Sequence, residues 1–269
     1  MTADPSRRPV DADGLRSALD PAVWRRVDVV DETGSTNADL IARAAAGEDI
    51  AGAVLIAEHQ SAGRGRNGRT WSAVPHAQLT VSAAVDVRAV PVAAWGWIPL
   101  LTGLAVIDAV ADVTGVRAGL KWPNDVLAGP QQGKLAGILA EVASPASVVV
   151  VGVGLNVSLA ADELPTAEAT SLGLLGAEGV DRTALAAALL GGLGRGIAAL
   201  AGGAGDTLVA RYAAASLTIG STVRATLPGN REVVGLATGV DDQGRLCIDS
   251  AGETVVVSAG DIVHLRPVR

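Results

Sequence analysis

The chain has 269 residues, of which 49% are hydrophobic and 18% charged, and its net charge is −7 at pH 7. This composition suits a folded protein with an apolar core, and the acidic balance argues against a general affinity for nucleic acid. A single cysteine, Cys247, excludes an internal disulfide and a cysteine cluster for zinc.

The N-terminus lacks the apolar segment of a signal peptide. No stretch is predicted to span a membrane, because the most apolar long segment, 183–201, is interrupted by glycines and Arg195. We therefore expect a cytoplasmic protein. Residues 1–20 are polar and are expected to be flexible.

A first strand is predicted over 24–30 and a helix over 38–46, with Leu40 and Ile41 on its apolar face. Between them stands the sequence TGSTN, residues 33–37. Ser35 and Thr36 are suited to cap the helix. The alternative is that these hydroxyls and the amide of Asn37 face a polar ligand.

A buried strand over 53–57 leads through Gln60 into the sequence GRGRNGRTW, residues 63–71, here called the Gly/Arg loop. Its glycines permit close backbone approach, and its three arginines offer planar forks that suit phosphate and carboxylate oxygens. Trp71 adds a flat face, so the loop predicts a nucleotide ligand. A merely solvated loop is the alternative. The letters match a dinucleotide-binding fingerprint, but no helix is predicted to follow, which excludes that motif.

A strand with one wet face is predicted over 79–83, and Leu100, Leu104 and Ile107 mark a helix. The sequence KWPND, residues 121–125, follows. Lys121 is placed to neutralise an anion, and Asn124 offers the donor and acceptor that a base edge requires. Asp125 could accept from a sugar hydroxyl or a lysine, or hold a metal through water. A simple Pro-Asn-Asp turn is the alternative.

Two further strands are predicted over 134–142 and 148–153, and we expect them to pair. The first begins with Lys134, and Asn156 follows the second. Helices are predicted over 185–200 and 206–215. From residue 217 the pattern changes to short strands over 222–227, 233–240, 245–249, 254–257 and 262–265, which predict a small β-barrel or sandwich.

Taken together, five motifs resemble the biotin–protein ligase family. They are Ser35-Thr36-Asn37, the segment 60–71, Lys121-Trp122-Pro123-Asn124-Asp125, the segment 134–139 and the segment 152–156. The resemblance covers residues 28–265. It implies an α+β fold: a mixed sheet with helices, like that of class II aminoacyl-tRNA synthetases, over 1–216, and an SH3-like β-barrel over 217–269.

The resemblance implies that biotin and ATP react to form biotinyl-5′-AMP and pyrophosphate, with Mg²⁺ on the phosphates and near Asp125. The biotinyl group then passes to a lysine of the biotin carboxyl carrier domain of an acyl-CoA carboxylase. Biotin would contact Ser35, Thr36, Asn37, Gln60, Gly63, Arg64, Lys134 and Gly137. ATP or the adenylate would contact Arg64, Arg66, Arg69, Trp71, Lys121, Asn124, Asp125 and Asn156, with Trp71 stacked on adenine. Lys134, Arg66 and Arg69 would be catalytic.

The chemistry of the residues agrees with this implication, because two anionic reactants can meet only where cations line the site. Asn67 stands where the family often has another basic residue, so phosphate contacts are expected to be fewer. The repressors of the family carry an N-terminal DNA-binding domain, for which this chain has no room, so no DNA binding and no membrane binding are expected. The protein is expected to be a monomer or a homodimer. A lipoate–protein ligase and a non-enzymatic biotin-sensing regulator are the alternatives.

Overall fold

The computed structural model describes residues 7–144, 147–227, 231–258 and 261–264. These residues form five α-helices and twelve β-strands. The helices are α1 (Ala12–Ala18), α2 (Thr36–Ala45), α3 (Trp97–Thr114), α4 (Arg182–Ala201) and α5 (Gly205–Ala215). The strands of the first sheet are β1 (Arg26–Thr33), β2 (Ala53–Gln60), β3 (Gln78–Asp86), β4 (Ala118–Lys121), β5 (Asp125–Ala128), β6 (Gly133–Val142) and β7 (Val148–Asn156). Those of the second are β8 (Thr222–Leu227), β9 (Arg231–Val240), β10 (Leu246–Ser250), β11 (Glu253–Val257) and β12 (Asp261–His264).

The first sheet has seven strands in the order β1-β2-β3-β7-β6-β5-β4. Strands β1 and β2 are parallel, with α2 as their crossover, and the other pairs are antiparallel. The predicted pairing of β6 with β7 is confirmed. Its register places Gly137 directly opposite Gly154, so two residues without side chains are neighbours in the middle of the sheet.

Apolar layers cover both faces of this sheet. Helices α3 and α4 pack on one face, and most of α3 is buried, with Trp97, Leu101 and Val106 among its residues in the main core. Helix α2 covers the other face, where Leu40 is fully buried. Such burial accounts for the continuous apolar character of α3.

Helices α3 and α4 are both long and apolar enough to cross a membrane by length and composition. Length and composition alone therefore do not distinguish these two helices from membrane spans. The physical reason is that α3 is a core helix, with 61% of its apolar window buried inside the protein. Helix α4 packs against it, through Leu185, Leu189 and Leu193.

The segment 1–20 was expected to be flexible, and residues 1–6 lie outside the described residues. Residues 12–18 form α1, and Asp11 caps it by accepting from the backbone N–H groups of Asp13 and Gly14. Leu15 of this helix is fully buried in the main core. The expectation of flexibility is wrong for this helix. The segment is polar overall, but the single buried side chain of Leu15 packs it against the core.

The second sheet has five antiparallel strands in the order β11-β10-β9-β8-β12, close to the predicted pattern. Leu265, the predicted end of the last strand, lies outside the described residues. The turn between β9 and β10 rests on the first domain. Trp97 donates its indole N–H to the carbonyl of Asp242 at 3.0 Å, and Trp122 donates to that of Gly244 at 3.1 Å.

Candidate active site

The predicted site residues meet in a cavity of about 440 Å³, above the first sheet. Its walls come from the start of α2, the end of β2, the Gly/Arg loop, strands β6 and β7, and the β4–β5 turn. The predicted residues that line it are Ser35, Thr36, Asn37, Gln60, Arg64, Arg66, Arg69, Trp71, Lys121, Asn124, Asp125, Lys134, Gly137 and Asn156. Gly63 lines the adjoining cleft instead.

One end of the cavity is lined by buried hydroxyl and amide groups. Ser35 is the N-cap of α2, as its side chain accepts from the backbone N–H of Ala38 at 3.5 Å. Gln60 accepts from the backbone N–H of Thr36 at 2.8 Å and from its hydroxyl at 3.0 Å. The two predicted roles of Ser35, capping and lining a polar pocket, are therefore compatible.

Asn37 lies in the same wall with its side-chain amide fully engaged. It donates to the carbonyl of Leu139 at 3.1 Å and to the carboxylate of Glu141 at 2.8 Å. Its carbonyl accepts from the hydroxyl of Ser82 at 2.6 Å. Since both amide hydrogens are donated to protein acceptors, Asn37 holds the wall together, and a ligand finds at most a lone pair of its oxygen.

The Gly/Arg loop folds back on itself as a short hairpin. Arg64 and Thr70 form a β-bridge, and Trp71 donates its backbone N–H to the carbonyl of Gly63 at 2.8 Å. Asn67 at the tip has φ 56°, a left-handed conformation that asparagine tolerates better than a long basic residue does. The hairpin brings three guanidinium groups to the cavity entrance.

Trp71 lies across the cavity floor, on the two glycines that the β6–β7 register makes neighbours. A Cβ atom at Gly154 would lie 2.3 Å from Cε2 of the indole, and one at Gly137 would lie 3.1 Å from Cζ3. Any side chain at residue 154 would therefore exclude the indole. Within the described residues, the buried indole N–H of Trp71 has no hydrogen-bond acceptor.

Lys134 stands beside that indole, at the start of β6. Its ammonium nitrogen lies 2.7 Å from a carboxylate oxygen of Asp125 and 5.9 Å from the centre of the Trp71 ring. Both side chains of the ion pair keep some exposure, 35% for Lys134 and 23% for Asp125. The cation is thus held in place at the cavity wall and is still accessible to an anion.

The two predicted asparagines are both held by the protein. Asn124 donates to the carbonyl of Ile138 at 3.0 Å and accepts from Arg66 at 3.2 Å. Asn156 is buried, and it donates to the carbonyl of Thr170 at 2.9 Å and accepts from Gln78 at 2.8 Å. Both lie in the cavity wall, with their amides hydrogen-bonded to neighbouring strands and loops.

Lys121 ends β4 and lines the cavity close to the second domain. His264 of β12 lies near it, with its Nε2 3.0 Å from the hydroxyl of Thr218. Burial, and then the positive charge of Lys121, lower the pKa of His264 below its usual value. The histidine is therefore neutral at pH 7.

Across the described residues there is no group of three or more His, Cys, Asp or Glu side chains that could hold a metal ion. Asp125, the predicted neighbour of Mg²⁺, is paired with Lys134. A divalent cation that arrives on a nucleotide needs only one or two carboxylates, since phosphates and water supply its other ligands. The residues present fit that mode of binding and no all-protein metal site.

Sequence reasoning missed three side chains that shape the cavity: Ser82, Gln78 and Glu141. Each contacts a predicted residue, through hydrogen bonds to Asn37 or Asn156. Ser82 could have been found from the alternation of residues 79–83, which predicts that Thr80 and Ser82 share the polar face of the strand. For Glu141, one position before the end of β6, the signal was a second charge besides Lys134 in an otherwise apolar strand.

A larger cleft of about 850 Å³ adjoins the cavity, between the two domains. The Gly/Arg loop forms one wall, and the turn residues Gln243, Gly244 and Arg245 form another. Asn124 and Arg64 belong to both spaces. The loop therefore separates a polar cavity from an open groove.

A small cavity with polar recognition groups at one end and cations at the other suits a ligand with a carboxylate or phosphate tail. Residues 35–157 match the biotin/lipoate A/B protein ligase family, and residues 218–265 match the biotin protein ligase C-terminal domain. The chain belongs to the biotin protein ligase family. It is 57% identical to the biotin–[acetyl-CoA-carboxylase] ligase of Mycobacterium tuberculosis, over 98% of both chains.

The chain is also 31% identical to the bifunctional ligase/repressor BirA of Escherichia coli, covering 84% of this chain and 70% of that protein. Among solved structures, the biotin protein ligase of Aquifex aeolicus in complex with biotin and ATP superposes with a TM-score of 0.76. The identity is 23%, over 90% of this chain and 100% of that one. The Leishmania major ligase with biotinyl-5-AMP gives a TM-score of 0.60 at 22% identity, over 90% and 98%. At these identities the superpositions establish the shared fold.

Proposed function

We propose that this protein is a biotin–[acetyl-CoA-carboxylase] ligase, which activates biotin with ATP and then transfers it to a lysine of a biotin carboxyl carrier domain. The observation that carries the proposal is the single cavity that joins a buried hydroxyl–amide wall to Lys134 and the arginines of the Gly/Arg loop. The near full-length similarity to the Mycobacterium tuberculosis ligase supports the same reaction and the same kind of acceptor.

The first step joins two anions. A carboxylate oxygen of biotin attacks the α-phosphorus of ATP, the bond to the β-phosphate oxygen breaks, and pyrophosphate leaves. Lys134, Arg66 and Arg69 supply the positive charge that lets the reactants meet. Each charge-assisted hydrogen bond contributes about 1.5–3 kcal/mol, and the part that grows as charge moves to the leaving group lowers the barrier.

The second step needs no covalent intermediate on the enzyme. The amine of the carrier lysine, once neutral, attacks the mixed anhydride, and AMP leaves. Holding the adenylate and the incoming amine together supplies most of the acceleration. The cleft between the domains opens onto the same loop and leaves room for the carrier to approach.

The individual contacts follow the resemblance to the family, and the presence of these residues around the cavity and the adjoining cleft supports them. Ser35, Thr36, Gln60, Gly137 and the backbone from Gly63 to Arg64 hold the ureido ring of biotin. Trp71 presents its free face to adenine, and Asn124 and Asn156 form the wall near the base. Lys121 and Asp125 serve the phosphate region, where Mg²⁺ arrives with ATP.

Several finer points belong to the same proposal. The first domain is of the class II aminoacyl-tRNA synthetase type, since it has a mixed sheet with helices on its faces, and the five-stranded second domain is an SH3-like barrel. The enzyme acts in the cytoplasm, as a monomer or a homodimer, without binding operator DNA. A gel-shift assay that found a sequence-specific DNA complex would contradict the last point.

A lipoate–protein ligase is the nearest alternative, because one family model spans both activities. The order of the Gly/Arg loop and the Lys-Trp-Pro-Asn-Asp motif favours biotin. ATP–pyrophosphate exchange with biotin and with lipoate separates the two. A biotin-sensing regulator without catalysis would bind biotin and produce no AMP.

The test is the mass of a purified carboxyl carrier domain after incubation with biotin, Mg-ATP and the protein. The expected result is a gain of one biotinyl unit, which Lys134→Ala abolishes. An unchanged carrier mass in the presence of a folded protein would reject the proposal.

A further inference from the structure

Glu141, near the end of β6, contacts two parts of the site that have no other direct link among the hydrogen bonds described above. Its Oε1 atom lies 3.7 Å from the guanidinium of Arg64, and its Oε2 accepts from Asn37 at 2.8 Å. Arg64 belongs to the Gly/Arg loop and Asn37 to the first turn of α2. The carboxylate therefore stands between the loop and the wall that we assign to biotin.

From Asn37 the contacts continue into that wall. Asn37 accepts from Ser82, which also lies 2.6 Å from the hydroxyl of Thr36, and Thr36 donates to Gln60. Apart from Glu141 and Arg64, the members of this series are buried, so their geometry is fixed by packing. A shift of Glu141 would thus reach Thr36 through three contacts and Gln60 through four.

The sheet itself is shaped to keep Asn37 in this position. Gly152 of β7 lies under it, and a Cβ atom there would come within 2.4 Å of the Asn37 carbonyl oxygen. The bare backbone at residue 152 lets the amide reach both Leu139 and Glu141. The Asn37 amide is therefore the centre of this wall, and Glu141 is the partly exposed residue at the end of the series of contacts.

The two contacts of Glu141 differ in kind. The hydrogen bond to Asn37 is short and partly buried. The ion pair with Arg64 is longer than a hydrogen bond, and its side chains are 29% and 47% exposed. An ion pair of that kind is weak and yields readily to a better anion. It can hold the loop against the sheet and still let the arginine adjust when a ligand enters.

Resting on the function proposed above, we propose that Glu141 is a positioning residue for the Gly/Arg loop. Through its charge it holds Arg64, and with it the loop, closed over the adenylate. Through its hydrogen bond to Asn37 it aligns the biotin wall with the same loop. The reactive adenylate is thereby retained until the carrier lysine arrives.

The two contacts can be removed separately. Glu141→Gln keeps an oxygen that accepts from Asn37 and loses the charge that attracts Arg64. We expect biotinyl-AMP to leave this variant about two- to five-fold faster, as suits a partly exposed ion pair, with the KM for biotin unchanged. Glu141→Ala loses both contacts, and we expect its KM for biotin to rise about ten-fold as well.

The decisive measurement is a double-mutant cycle on the release rate of added biotinyl-AMP, chased with excess biotin. Because the ligand is added, no variant needs to be active. If Glu141 acts through Arg64, Glu141→Gln has no further effect in an Arg64→Ala background. An equal acceleration in both backgrounds, or none in either, would overturn the role. Melting temperatures show whether Glu141→Gln, Arg64→Ala and the double variant are folded. The cycle does not include Glu141→Ala, so it remains valid if that variant does not fold.

The outcomes also separate this inference from the proposed function. A wild-type protein that neither forms nor binds biotinyl-AMP would reject both. A wild-type protein that forms it, and a Glu141→Gln variant that releases it at the wild-type rate, would reject the role of Glu141 alone.

Discussion

The ammonium group of Lys134 in β6 lies 2.7 Å from the carboxylate of Asp125 in the neighbouring strand β5. This pair holds the cation at the wall of the cavity before any ligand enters. A phosphate or carboxylate that binds there shares a charge already in place, so little reorganisation is needed at the reacting centre.

The first prediction concerns that cation. Lys134→Ala should lower kcat/KM for adenylate formation by about 100-fold or more, because at least two charge-assisted contacts to the reactants are lost. Lys134→Arg keeps the charge and should retain part of the activity. Biotin-dependent ATP–pyrophosphate exchange measures both.

A matched control for this variant is Arg211→Ala. It removes an exposed cation of α5 that pairs with Asp108 at 2.7 Å and does not line the cavity. Its exchange activity should equal that of the wild type. If the two alanine variants lost activity equally, the effect would lie in the fold and the assignment of Lys134 would fail.

The second prediction concerns the floor of the cavity. Gly154→Ala places a methyl group 2.3–2.5 Å from indole atoms of Trp71, so the ring must leave its position. We expect a loss of adenylate formation together with a change in tryptophan fluorescence. The control is Gly239→Ala in β9, where a Cβ atom would have no heavy atom within 4 Å. An unchanged fluorescence spectrum for Gly154→Ala would contradict this packing.

The third prediction concerns the Gly/Arg loop. Three like charges and three glycines make the free loop costly to order, and an anionic ligand removes the repulsion. Trypsin should therefore cut after Arg66 and Arg69 in the free protein and be slowed by biotinyl-AMP. The exposed Arg117, outside the cavity, serves as the internal control. Equal cleavage of the loop with and without the ligand would count against closure.

The fourth prediction concerns His264. Because burial and Lys121 lower its pKa in the folded state, the unfolded chain binds the proton more readily. The stability associated with the neutral histidine is present above its usual pKa of 6.5 and is lost as the pH falls below that value. The melting temperature should fall between pH 7 and pH 5.5 more steeply for the wild type than for His264→Gln. Parallel curves for the two proteins would refute the assignment.

Most of the helices and strands could be predicted from local sequence patterns. The strand over 222–227 was predicted with the bounds that the structure has, and the β6 and α5 segments were predicted within one residue. Hydrophobic period and glycine positions are local properties, which explains this agreement. Strands β4 and β5 were not predicted. Each has only four residues and they flank a Pro-Asn-Asp sequence, which is too short for an alternation of polar and apolar residues to be recognised. Helix α1 was not predicted, because one buried residue, Leu15, is not enough to show the periodic spacing of apolar residues that marks a helix.

By itself, the sequence determined the cations, the glycines and the hydroxyl groups of the site, because motif chemistry depends on residue type and order. Only the tertiary structure decided what each of them contacts. The register that places Gly137 beside Gly154 makes room for Trp71. Asn37 lies over the sheet and forms hydrogen bonds with Ser82 and Glu141. Such contacts join residues about 45 to 104 positions apart in the chain, and no local pattern encodes a distance of that kind.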